Sequence, residues 1–206
     1  MSIPLNFYID VSGQPKSEIF VGVSSINVNK MGTFLKELKK RHPEFLRNKQ
    51  KGSKLKSNKI RSWISYFNGN KVHMSSVVFK SKHWNLIKDF LDNKKYSKEM
   101  IYAVLYFYGL KEFSQKEKAY QVTVCEESYL DIQKVKNYLR KLAKANNFNY
   151  QVSSSYASQN DMIKISDLVA AASRKLGIKE LERFDNYTIL CPTQKELKFY
   201  LNKLKD

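Results

Sequence analysis

The chain has 206 residues, enough for one domain with a sizeable core, and its 42% apolar and 13% aromatic residues supply material to fill it. A charged fraction of 27% excludes a disordered polyelectrolyte, yet 37 Lys and Arg against 19 Asp and Glu leave a formal net charge of +18. Such a field attracts polyanions, nucleic acid first and an anionic membrane surface second.

In chain order, residues 5–11 and 17–26 read as two strands. The short polar turn between them, with Ser12, Gly13 and Pro15, predicts an antiparallel hairpin. Residues 30–47 read as a helix with Phe34, Leu35, Leu38 and Phe45 on one side, ended or kinked at Pro43. Residues 48–58 form a basic loop. A second helix fits 59–67, where Ile60, Trp63, Ile64 and Phe67 share one face. Trp63, Tyr66 and Phe67 could stack bases, but their helical spacing assigns them to the core. Residues 71–79 alternate as a third strand, and helices follow at 82–93 and 97–113. Residues 119–126 are a fourth strand, 129–146 a long amphipathic helix, 148–154 a fifth strand and 162–176 a helix. Tyr187 to Cys191 is strand-like, and Thr193-Gln194-Lys195-Glu196 has the capping-box pattern that opens a last helix.

The alternation after residue 119 predicts parallel β-α-β pairing joined to the N-terminal hairpin. This gives an α/β domain with a mixed five-stranded sheet flanked by helices. Residues 30–68 are then a basic helical insertion within a single domain spanning 1–206, and residues 177–206 a C-terminal strand-helix extension. The longest apolar run, Met100 to Leu110, is too short to cross a bilayer, and no secretory signal is visible, so a cytoplasmic, membrane-free protein is expected. Cys125 and Cys191 lack metal-binding spacing and read as buried free thiols in a reducing compartment. The three histidines are unclustered.

Positive charge is concentrated. From Lys30 to Arg61 there are twelve Lys and Arg against Glu37 and Glu44 alone. A solvated helix face normally mixes signs. The window therefore predicts a phosphate-tracking surface built from Lys39, Lys40, Arg41, Arg47, Lys49, Lys51, Lys54, Lys56, Lys59 and Arg61.

Against this background three acids stand out. Asp10 ends strand one and Asp167 lies within the helix after strand five. Glu126 ends strand four with Glu127 beside it, and the spacing after Val124 favours Glu126. If strands one and four are neighbours, Asp10 and Glu126 meet at one end of the sheet. Asp167 can approach from above, because Ala170 and Ala171 let its helix lie close. Carboxylates so gathered repel, and a hard dication, Mg2+ or Mn2+, resolves the repulsion. Two such ions can clamp both oxygens of a phosphodiester displacement. The competing readings are a turn role for Asp10 and an ion pair with Lys164 or Arg174 for Asp167.

Tyr8-Ile9-Asp10-x-Ser12-Gly13 followed by a Phe-Val-Gly-Val strand, with Ile163-x-Ile165-Ser166-Asp167-Leu168-Val169-Ala170-Ala171-Ala172-x-Arg174, resembles a family of uncharacterised microbial proteins with a ribonuclease H-like fold. Its members open with Tyr-Ile-Asp-Glu-Ser-Gly-Asp and close with a Gln-x-Ala-Asp-Leu helix. The resemblance covers most of residues 5–176, including Lys51-Gly52-Ser53 and the acid after Val124. It implies a metal-dependent nuclease hydrolysing phosphodiester bonds of RNA or DNA, with Asp10, Glu126 and Asp167 as catalytic and metal-binding residues. Val11, Gln14, Lys164 and the Lys49-Gln50 pair depart from the family pattern. These departures sustain a second reading, a catalytically degenerate module that only binds nucleic acid or a ribonucleoprotein. A protein-interaction subunit with an acidic partner is a third. The sequence is silent on oligomeric state.

Overall fold

In the computed structural model, residues 6–13, 18–47, 52–80, 96–116 and 118–205 are described. β1 (Asn6–Gly13) and β2 (Ile19–Ile26) form the expected antiparallel hairpin, with Asp10 opposite Gly22. Side chains alternate across β1: Phe7, Ile9 and Val11 enter one core cluster, while Tyr8 enters the other. Asp10 and Ser12 follow Tyr8 by the same period of two, and both are buried.

The basic segment comes next. α1 (Val28–Arg41) is capped by the Asn27 side chain and buries Phe34 and Leu38, and its last turn carries Lys39, Lys40 and Arg41, where cations favour the helix dipole. The chain breaks at His42, and Pro43 opens α2 (Pro43–Arg47), a first-turn position that tolerates its missing N–H. A 3-10 turn (Gly52–Lys54) leads into α3 (Ser57–Gly69), which buries Ile60, Trp63, Ile64 and Phe67 as its spacing predicts. Trp63 and Phe67 interlock with Phe45, so these rings are core.

β3 (His73–Phe79) pairs antiparallel with β2. The helix predicted at 82–93 lies outside the described residues. α4 (Lys98–Lys111) is buried nearly all round. β4 (Ala119–Cys125), α5 (Ile132–Ala145) and β5 (Asn149–Ser155) then make the β-α-β unit, β4 lying parallel to both β1 and β5. α6 (Asp161–Lys175) follows, capped by Asn160, then a single-turn α7 (Ile178–Leu181). The C-terminal strand β6 (Tyr187–Leu190) joins the sheet parallel to β3, and α8 (Gln194–Asn202) begins at the foreseen Thr193–Glu196 capping box. The sheet order is β5-β4-β1-β2-β3-β6: the five expected strands, with β6 added as a sixth beside β3. Among the described residues no helix is long and apolar enough to cross a membrane.

α4, α5 and α8 cover one face of the sheet, and α3 and α6 cover the other. α6 sits close because small residues meet there. A Cβ placed on Gly22 would lie 2.1 Å from the Ser166 carbonyl and 2.5 Å from the Ala170 nitrogen, so only glycine admits the helix. Ser166 Oγ bonds the Tyr8 carbonyl at 2.9 Å and lies 2.7 Å from Ser24 Oγ, pinning α6 across the hairpin.

Candidate metal centre

The strand opposite Asp10 carries Gly22, and the helix that Gly22 admits carries Asp167 next to Ser166. Parallel pairing of β1 with β4, Ile9 beside Val124, brings the end of β4 alongside Asp10. Residues distant in sequence thus gather at one end of the sheet.

Asp10 is 3% exposed. Its Oδ1 accepts from the Val11 N–H at 2.7 Å. Donor atoms of Asp10, Cys125 and Glu127 all lie within 4.8 Å of one another. Burial, foremost, and the Asp167 carboxylate hold the Asp10 carboxyl well above the usual range. The Val11 N–H opposes the rise, Glu127 adds to it, and the Cys125 thiol lowers it again. Among the described residues no basic side chain forms an ion pair with Asp10. Burial, then Asp10 and Glu127, push the Cys125 thiol strongly upward.

Asp167 stands outside the close group. Its Oδ2 accepts from the Gly52 N–H at 2.6 Å, which ties the 3-10 turn to α6. Asp161 lies in the first turn of α6 and pairs with Lys164 at 3.1 Å and Lys39 at 3.6 Å.

Two acids follow β4, and they face different ways. Glu126 Oε1 accepts from Ser154 Oγ at 2.8 Å and its N–H donates to the Ser155 carbonyl at 3.0 Å, so Glu126 is engaged with β5. Glu127 is the acid beside Asp10. The cause is strand alternation. Val124 belongs to the α4/α5 core and Cys125 to the α6 core, so Glu127 continues the face of Cys125 and Asp10. Cys191 also departs from expectation, being exposed, whereas Cys125 is buried as read.

The basic window divides. Lys54, Lys56 and Lys59, with Leu55, Asn58 and Ser62, line an open cleft of about 600 Å³ where α3 begins without a side-chain cap. Lys40 is exposed on α1. Arg41 is held by Glu37 at 2.9 Å, Arg61 by Glu180, and Lys39 by Asp161. Those three cations are therefore partly neutralised. The Arg47 side chain, Lys49 and Lys51 lie outside the described residues.

No protein-family model and no curated protein matches the chain. Solved structures do. Ribonuclease H2 from Pyrococcus horikoshii OT3 superposes with a TM-score of 0.56 at 13% identity, over 95% of this chain and 84% of that one. A mutant of Bst-RNase HIII gives 0.55 at 12% identity, over 88% and 54%. Bst-RNase HIII in complex with Mn2+ gives 0.53 at 12% identity, over 86% and 53%. The chain spans about half the length of the RNase HIII structures. These likenesses establish a ribonuclease H-like α/β fold.

Proposed function

We propose that this chain is a metal-dependent nuclease hydrolysing phosphodiester bonds in RNA or DNA, with Asp10, Glu127 and Asp167 holding Mg2+ or Mn2+. One observation carries the reading: a buried Asp10 faces the carboxylates of Asp167 and Glu127, both of which push its carboxyl upward. Buried like charges are costly, and a hard dication with oxygen ligands relieves them. The donor set therefore fits the ion. The fold shared with Bst-RNase HIII, one structure of which is a Mn2+ complex, supports the same reading.

A bound dication supplies Lewis-acid stabilisation of charge developing on phosphate oxygens. The protein's own groups do the rest. Asp10 is fixed by β1 and by the Val11 N–H, and Glu127 by its place after β4. Asp167 is oriented by the Gly52 N–H. Two residues beyond Gly52, the Lys54–Lys56–Lys59 cleft offers cations to successive backbone phosphates, which position a strand without reading its sequence.

A cleavage panel of single-stranded, duplex and hybrid substrates tests the proposal. Cutting that requires Mn2+ or Mg2+ and disappears with chelator and with Asp10→Asn is the expected result. A binding-only module for nucleic acid or a ribonucleoprotein is the second reading. It is favoured by one feature, the engagement of Asp167 with Gly52 apart from the close group. Salt-sensitive binding without cleavage would select it.

A further inference from the structure

We infer that Cys125 is a further donor to the ion, beside the carboxylates, so that the centre takes thiophilic dications, Zn2+ and Cd2+, more tightly than Mn2+, and Mn2+ more tightly than Mg2+. This rests on the metal reading above and narrows its cofactor.

The geometry is specific. Two ligands on one ion cannot be farther apart than their two bond lengths together, about 4.2 Å for two oxygens and about 4.4 Å for sulfur and oxygen. The donor atoms of Asp10, Cys125 and Glu127 lie within 4.8 Å of one another, a few tenths of an ångström from that limit and within reach of a small side-chain rotation. Cys125 is 3% exposed and packs on the same sheet face as Asp10. Its thiol hydrogen-bonds the Asp10 carboxylate and lies 4.0 Å from Glu127 Oε1, so the sulfur already faces both carboxylates. A thiol between two carboxylates in a buried pocket is a poor packing choice and a good mixed donor set. Sulfur prefers soft cations and gains little from Mg2+, which keeps its waters and favours oxygen. On binding, the thiol releases its proton to solvent and the thiolate coordinates.

Cys191 is the other cysteine and is exposed, so the test uses the full chain carrying Cys191→Ser. Cd2+ is titrated into metal-free protein while the ultraviolet thiolate-to-cadmium charge-transfer band is followed, and thermal melts are recorded with Mg2+, Mn2+, Zn2+ and Cd2+. A saturable band is expected. Adding Cys125→Ala should remove it and weaken Zn2+ and Cd2+ binding by at least the roughly tenfold typical of losing a supporting group, with a much smaller loss for Mg2+. Cys125→Ser, close in size, should likewise lose the band, and the unsubstituted Cys125 signal does not depend on either variant folding. Stabilisation by Mn2+ that needs Asp10, with no cadmium band and unaltered Cd2+ affinity in Cys125→Ala, would overturn the role of the sulfur and leave the carboxylate centre standing. Failure of all four ions to stabilise the protein would overturn both.

Discussion

The Gly52 backbone N–H donates to the Asp167 carboxylate at 2.6 Å, joining positions 115 residues apart in the chain. The bond couples the basic segment to the acidic pocket, because the lysine cleft starts at Lys54. A Cβ on Gly52 would meet the Ala171 Cβ at 3.0 Å and the Asp167 carbonyl and Leu168 Cα at 3.1 Å. Gly52→Ala should therefore push the turn off α6, costing about 1–2 kcal/mol in urea denaturation. Cleavage should fall by more than that stability loss explains, because Asp167 loses its orienting donor.

Gly22→Ala is the harsher substitution. Its Cβ would clash with the α6 backbone at 2.1 and 2.5 Å, where no flexible side chain can yield. The expected loss is about 3 kcal/mol or more, read by thermal or chemical unfolding. The helix that carries Asp167 should lift from the hairpin, so any surviving folded protein should lose its stabilisation by Mn2+.

Asp10→Asn should stabilise the metal-free protein. A carboxyl whose folded-state pKa is raised favours the fold below the unfolded value, about 4, and that contribution is lost as pH rises through the folded value. In chelator, the wild type should lose stability relative to Asp10→Asn as pH climbs from about 4 to neutrality, as thermal melts across that range would show. Saturating Mn2+ should reverse the ranking, adding about 2.7 kcal/mol to the wild type at a hundredfold excess over Kd and nothing to the variant.

Glu127→Gln and Glu126→Gln should separate cleanly. Removing the carboxylate beside Asp10 should lower metal-dependent cleavage by about two orders of magnitude or more, since ion-mediated stabilisation is worth several kcal/mol. Glu126→Gln alters a hydrogen bond with Ser154 and should cost about 1 kcal/mol of stability or less, with near-wild-type cleavage. Single-turnover rates at saturating Mn2+ decide between them.

Replacing Lys54, Lys56 and Lys59 by alanine should leave the melting temperature nearly unchanged, as all three are exposed. Nucleic-acid affinity should fall, and the slope of log K against log salt should flatten by up to about 0.9 per lysine on duplex DNA. Fluorescence anisotropy over a salt series measures both. Charge reversal at Arg41 or Arg61 should matter less, because Glu37 and Glu180 already hold them.

Much of the architecture was legible in local pattern. Alternation marked the hairpin and the β-α-β strands, Pro43 marked a helix boundary, and Thr193 with Glu196 marked the start of α8. The partner of β6 was not, because a four-residue strand pairs with β3 more than a hundred residues away and carries no local sign of it. At the pocket, the choice between Glu126 and Glu127 depended on which face of β4 looks toward α6. Alternation of Val124 and Cys125 could decide that only once the helix was placed. Counting charge along Lys30–Arg61 credited Arg61 in full for a similar reason, as its neutralising Glu180 lies 119 residues downstream.

The acids of the pocket come from the first strand, from the residues after the fourth, and from a helix that begins only at Asp161. A chain emerging from the ribosome cannot assemble that pocket before α6 has been synthesised and laid across Gly22. Until then Asp10 has no Asp167 beside it. Under the proposed nuclease reading, a chain whose α6 is not yet in place lacks one of the three acids assigned to the ion.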